Sequence, residues 1–232
     1  MIVALFDLDG TLYTGHMLQA LAEHHRLHRT NRFYLYAFIG THLALWPLWR
    51  SGLLSEEKMR ELWVRDMAWA LRGWSSSRAQ EAFRWITQEY ILPRLRHDVL
   101  EKLREHQTKG HYTILLSGTF APLLVEVGHQ LGVAETVGTP LIIRHGRYIG
   151  ACELPICQGE GKRQRLLARL QGREINWAES YAYADSYTDI PILELVGHPV
   201  AVYPDELLAN HARERGWEIF LPSSQEDNSS PT

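Results

Sequence analysis

The stretch "IVALFDLDGTLYTG" occupies residues 2–15. Its opening run, Ile2 to Phe6, is wholly apolar and suits a buried strand. A strand points alternate side chains to opposite faces, so Asp7 and Asp9 share one side while Leu8 takes the other. Two carboxylates crowded at the end of a buried strand call for a shared proton or a cation between them. Gly10 and Thr11 follow, and a glycine there lets backbone N–H groups approach an anion closely. The stretch is therefore a strand that ends in a site.

Further along the chain, the pattern after Pro93 alternates. A helix is expected at about 97–108, the strand "YTILLS" at 112–117, a helix at 121–130, and "PLIIRHGRYIG" at 140–150 with a glycine turn. A helix follows at 161–171, then the strand "SYAYAD" at 180–185 and a short helix within "DIPILELVG" at 189–197. The strand "PVAVYP" at 199–204, a helix at 205–215 and "WEIFLP" at 217–222 complete the series. Strands alternating with helices predict an α/β fold, a Rossmann-like doubly wound parallel sheet. Residues 16–92 interrupt this pattern with helical signals alone, as in "SEEKMRELWVRDMAWALRG", where Ser55 is an N-cap, Glu56 and Glu57 suit the first turn and Gly73 follows the end. The expected division is a core of 1–15 and 93–222, a helical insertion of 16–92, and a polar tail, 223–232, without apolar anchors.

In an open parallel sheet, ligands bind beyond the carboxyl ends of the strands, so polar residues that end apolar runs are the ones to collect. In "LLSGTF", Ser117 ends a strand and Gly118 opens the turn toward a helix N-terminus, a combination that suits phosphate oxygens. In "YADSYTDIP", Asp185 leaves a strand and Asp189 follows four residues later, just before Pro191 starts a helix, adding carboxylate oxygen for a hard cation. Lys162, in "GEGKRQRL", opens a helix after two glycines, where a cation does not help the helix dipole and serves an external anion instead. Each piece alone is common. Together and in this order they make a site.

This set resembles the haloacid dehalogenase-like phosphohydrolase superfamily, in its phosphoserine-phosphatase-like branch. "FDLDGTLY", "LLSGTF", "GEGK" and "YADSYTDIP" are similar to its four motifs, and the insertion at 16–92 occupies the place of the branch's helical cap. The resemblance implies a Mg²⁺-dependent phosphomonoester hydrolase, with Asp7 as nucleophile forming an aspartyl-phosphate and Asp9 as general acid and base. It implies Mg²⁺ held by Asp7, the Asp9 main-chain carbonyl and Asp185. Phosphate oxygens would be met by Thr11, Ser117, Gly118 and Lys162, with Asp189 orienting Lys162 or a metal-bound water. An acid at Asp9 favours phosphoryl chemistry over carbon–halogen cleavage. Transfer to an alcohol acceptor, and a non-catalytic phosphate- or lipid-binding role, are the alternatives.

The branch's phosphoserine phosphatases carry an acidic residue nine positions after the nucleophile, where this chain has His16. The ammonium of serine would lose a charge-assisted partner there, so another small or amphiphilic phosphomonoester is expected. His16 is either a specificity contact at the cap's mouth or a solvated side chain. Arg60 and Arg65 are both near the position of the family's carboxylate-holding arginine.

The formal charge of −3 over 232 residues leaves no global basic field for nucleic acid. Cys152 and Cys157, with no signal peptide ahead of the first charges, predict a reducing cytoplasm. His24, His25 and His28 share an expected helix, as a solvated basic face rather than a metal site. "FYLYAFIGTHLALWPLW", residues 33–49, carries no formal charge. It is short for a bilayer span and interrupted by Gly40, His42 and Pro47. A core-facing cap helix packed on Trp63, Trp69, Trp74 and Trp85 is favoured over an apolar lip that meets lipid. Oligomeric state is not legible.

Overall fold

Val3–Phe6 form strand β1, and all four residues are buried. Burial on both faces is what a central parallel strand requires, because helices cover each side of such a sheet. A computed structural model describes residues 1–222, apart from the side chains of Glu56, Glu57 and Arg60. The expected tail, 223–232, and the Arg60 side chain thus lie outside the described residues. The other strands are β2 (Tyr112–Phe120), β3 (Glu135–Thr139), β4 (Leu141–Arg144), β5 (Arg147–Cys152), β6 (Tyr181–Ala184), β7 (His198–Val202) and β8 (Glu218–Phe220).

Six strands make one sheet in the order β3-β2-β1-β6-β7-β8, every neighbouring pair parallel. Chain order runs outward from β1 in both directions, so β1 and β6 flank the switch point of a doubly wound sheet. Their register pairs Phe6 with Tyr183, which brings Asp7 and Asp185 to the same rim. Alternation then sorts the sheet into two cores. Val3, Leu5, Ile114 and Ala182 belong to one, and Ala4, Phe6, Leu115 and Tyr183 to the other. The antiparallel pair β4 and β5 stands apart and was legible as the glycine turn in "RHGR". β3 was not foreseen. Its sequence, Glu-Thr-Val-Gly-Thr, has too few apolar residues to announce an edge strand.

The helices are α1 (Met17–His28), α2 (Arg32–Arg50), α3 (Glu56–Met67), α4 (Ser76–Trp85), α5 (His97–Thr108), α6 (Ala121–Leu131), α7 (Glu160–Arg169), α8 (Ile190–Leu193) and α9 (Glu206–Arg215). Between Met17 and Arg94 the described elements are all helical. The two chain crossings into this segment lie side by side. Thr14 N–H donates to Arg94 O at 3.0 Å, and Arg96 N–H to Leu12 O at 2.8 Å. Ser55 caps α3 by accepting from Lys58 N, and Ser75 caps α4 by accepting from Arg78 N. α3 stops earlier than the sequence suggested, passing into a tighter turn at Ala68–Leu71. α4 widens into a π-helical turn at Ile86–Ile91.

Two expectations need correction. His24 and His25 are buried, not solvated: both rings pack on Trp74, and His25 Nε2 lies 2.9 Å from Ala70 O. A helix wedged between tryptophans leaves no room for water on that face. The uncharged run in α2 is core-facing on one side only. Leu35, Phe38 and His42 are buried, and Phe38 and His42 pack edge-on against Trp63 of α3. The opposite face is exposed: Phe33 is 77 % accessible, Leu43 67 % and Tyr36 64 %. No helix of the described chain is long and apolar enough to cross a membrane.

Candidate active site

The site is built from the strand rims upward. Asp7 follows β1, is buried, and is fixed by its N–H donating to Tyr183 O at 3.0 Å. Asp185 follows β6 and accepts from the Thr11 hydroxyl at 2.9 Å. Gly10 adopts a positive φ of +85°, and a Cβ there would sit 2.2 Å from Asp185 Oδ2. The loop after β1 can close on β6 only with glycine at that position. A second glycine fixes α7: a Cβ on Gly161 would meet Ile156 O at 2.2 Å. This close approach seats Lys162, on the first turn of α7, inside the protein.

Lys162 is 3 % exposed. Its Nζ donates to Asp7 Oδ1 at 2.7 Å and to Asp189 Oδ1 at 2.6 Å. Burial alone would lower its pKa, but Asp189 and Asp7 outweigh that and hold it above the usual lysine range. Asp7 is pushed well above the ordinary carboxylate value by burial, opposed by Lys162 and reinforced by Asp189, Asp185 and Asp9. Asp185 is raised to about 6, again by burial first, against the Thr11 hydrogen bond and with Asp189 adding repulsion. One buried ammonium thus serves several crowded carboxylates. Oxygens of Asp7, Asp185 and Asp189 lie within 4.8 Å of one another, a hard-oxygen set that a divalent cation fits.

Asp9 is held differently. Its Oδ1 accepts from the Tyr13 hydroxyl and from Met17 N–H, each at 2.8 Å. Its Oδ2 accepts from Ser117 Oγ at 2.9 Å and Thr119 Oγ1 at 2.7 Å. Asp9 therefore stays outside the three-carboxylate cluster, and the metal expectation touches it only through its main-chain carbonyl. β2 runs on to Phe120 instead of ending at Ser117, so Gly118 lies within the strand, while the helix that follows starts at Ala121, where it was expected.

Asp7, Asp9, His16, Ser117, Gly118, Lys162, Asp185 and Asp189 all line one cavity of about 340 Å³. Thr11 reaches it through Asp185. His16 is at its mouth, N-terminal to α1. Arg65 pairs with Asp66 at 2.8 Å and does not line this cavity. Sequence reasoning missed Tyr13 and Thr119, although Thr119 lies two residues after Ser117 and hence on the same side of β2. It also missed the apolar wall of Met17, Trp63 and Met67, and Asp205, which follows β7 and receives Tyr187 N–H at 2.9 Å.

A parallel doubly wound sheet with this rim defines the class, and comparison with known proteins agrees. The chain belongs to the haloacid dehalogenase-like hydrolase family, whose model matches residues 4–194. It is 33 % identical over 158 residues to a histidinol-phosphatase of Neisseria meningitidis, covering 65 % of this chain and 69 % of that one. It is 30 % identical over 223 residues to a phosphoserine phosphatase of Mycobacterium tuberculosis, covering 93 % and 69 %. A crystal structure of a Bordetella pertussis protein with unknown function superposes with a TM-score of 0.79 at 27 % identity, covering 94 % and 97 %. The chain spans about half the length, 51 %, of two further curated relatives.

Proposed function

We propose that the protein is a Mg²⁺-dependent hydrolase of phosphomonoesters that works through an aspartyl-phosphate on Asp7. The observation that carries this reading is the buried Lys162 clamped between Asp7 and Asp189 beside Asp185, with a separate, fully hydrogen-bonded Asp9 at the same rim. Asp7 attacks phosphorus while Asp9 protonates the departing alkoxide. Asp9 then takes a proton from the water that hydrolyses the acyl phosphate, dividing one hard displacement into two easier ones.

Lys162, the Ser117 hydroxyl, Gly118 N–H and Thr11 neutralise or receive the phosphoryl oxygens. Asp189 acts as a positioning residue, because its 2.6 Å contact fixes the Lys162 ammonium. Asp7, Asp185 and the Asp9 main-chain carbonyl would hold Mg²⁺, with Asp189 close enough to share. When bound, the ion supplies the positive charge that keeps the crowded carboxylates ionised and offsets the charge on phosphate.

Residues 16–92 act as a cap over this cavity, attached through the paired crossings at Leu12–Thr14 and Arg94–Arg96. His16 and the wall of Met17, Trp63 and Met67 contact the organic part of the substrate. A small or amphiphilic phosphomonoester suits that mixture of one imidazole and apolar surface better than phosphoserine, whose ammonium would meet no carboxylate at His16. The named substrates of the two relatives differ from each other, in keeping with a specificity set by such cap contacts.

The test is a hydrolysis screen over a broad phosphomonoester panel with Mg²⁺ and with chelator. Mg²⁺-dependent release of phosphate is expected, and Asp7→Asn should fall by at least ~10³-fold, as expected when a reaction loses its nucleophile. Appreciable turnover by Asp7→Asn would refute the covalent assignment.

A further inference from the structure

We infer that the outward face of α2 docks on an anionic lipid bilayer. Phe33, Tyr36, Ile39, Leu43 and Trp46 recur at spacings of three, three, four and three residues, which follow one face of a helix. They are exposed by 77, 64, 36, 67 and 47 %. At 1.5 Å per residue the stripe from Phe33 to Trp46 extends about 20 Å. A contiguous apolar face of this length on a globular chain marks an interaction surface. It is not a helix awaiting its own core, because the opposite side is already seated. Phe38 and His42 lie on Trp63 with ring centroids 5.1 Å apart in each case, and His42 Nε2 is 4.0 Å from the buried Asp66 carboxylate.

Charge identifies the occupant. Residues 24–55 contain Arg26, Arg29, Arg32 and Arg50 and not one Asp or Glu, in a chain whose formal charge is −3. Arg29, Arg32 and Arg50 are exposed at the two ends of the stripe, and the Arg50 guanidinium sits 5.3 Å from the centre of the Trp46 ring. A second copy of the chain pairing through the same face would bring these arginines together with no carboxylate in the segment to offset them. A surface of lipid phosphates meets them with opposite charge. Tryptophan and tyrosine with arginine flanks, on a helix that cannot span, is the composition of a helix lying in the membrane interface. Trp63 also lines the carboxylate cavity, so a docked α2 holds that cavity one helix away from the lipid headgroups. The docking itself is independent of the catalytic reading.

The experiment is co-sedimentation of the full chain with vesicles of phosphatidylcholine alone and of phosphatidylcholine mixed with phosphatidylglycerol. Binding to the mixed vesicles is expected, weakening as salt is raised. The triple variant Phe33→Ser, Leu43→Ser, Trp46→Ser should bind them at least about tenfold more weakly. Arg29→Gln, Arg32→Gln, Arg50→Gln should lose about tenfold or more on the mixed vesicles. All these side chains are exposed, so both variants should keep the parent melting temperature, which separates lost docking from lost folding. The inference is overturned if the parent stays in the supernatant with mixed vesicles, or if the apolar variant binds as well as the parent. A dimer that the apolar variant dissociates, without vesicle binding by the parent, would overturn it in favour of a second copy.

Discussion

Asp9 receives four hydrogen bonds, from Tyr13, Met17 N–H, Ser117 and Thr119, and this arrangement allows a clean substitution. In Asp9→Asn the amide oxygen can keep the Tyr13 and Met17 donors. The amide N–H₂ can then donate to the Ser117 and Thr119 hydroxyls, which rotate to accept. Geometry survives while the transferable proton is lost. Asp9→Asn should therefore lower kcat by about 10²–10⁴-fold with an unchanged melting temperature, measured by steady-state kinetics and calorimetry. Asp185 carries a second prediction. With its folded pKa raised to about 6 from an ordinary 3.8, the metal-free fold binds a proton there that the unfolded chain does not bind between those values. Burial of the Asp185 carboxylate, with repulsion from Asp189 added, thus costs stability above about pH 6, and protonation relieves it as the pH falls. A divalent cation offsets the same buried negative charge but must displace that proton at low pH. The rise in melting temperature on adding Mg²⁺ should be large at pH 7.5 and shrink below pH 6. An equal rise at pH 5 and pH 7.5 would contradict the carboxylate cluster as the ion's site.

At the level of elements, the helix caps behave as local chemistry dictates. Ser75 Oγ accepts from Arg78 N–H, so Ser75→Ala should cost about 1 kcal/mol, seen as a melting temperature lower by roughly 2–4 °C for a chain of this size. The same local grammar made α3 legible, because its capping serine, first-turn acids and following glycine are signals carried by neighbouring residues. Three features were not local. β3 earns its place by pairing with β2, which lends a weak strand sequence the sheet it needs. α3 breaks at Met67 because of packing that its continuous helical pattern does not reveal. α2 carries apolar residues on every side between Phe33 and Trp49, so periodicity could not say which face is buried; Trp63 decides that, and it lies elsewhere in the chain.

Across the whole molecule, the site was more legible than the fold's details. Ligands gather at the rim of a parallel sheet, so Asp7, Ser117 and Asp185, each read as closing an apolar strand run, could be assigned to one place without knowing the strand order. The order β3-β2-β1-β6-β7-β8 does bring them there, with Lys162 between Asp7 and Asp189. What remained hidden was the partner set of Asp9 and the apolar wall of the cavity, since these depend on how the helical insertion lies over the rim. The cap assignment for 16–92 rests on that placement and on the paired chain crossings beside Tyr13. The central claim is that phosphorus becomes bonded to Asp7, and it can be read directly. During turnover of p-nitrophenyl phosphate, rapid acid quench followed by borohydride reduction converts an aspartyl-phosphate to homoserine, and peptide mass spectrometry locates it. Homoserine at position 7 is the predicted result; sustained turnover with Asp7 unmodified, or reduction at another carboxylate, would contradict it.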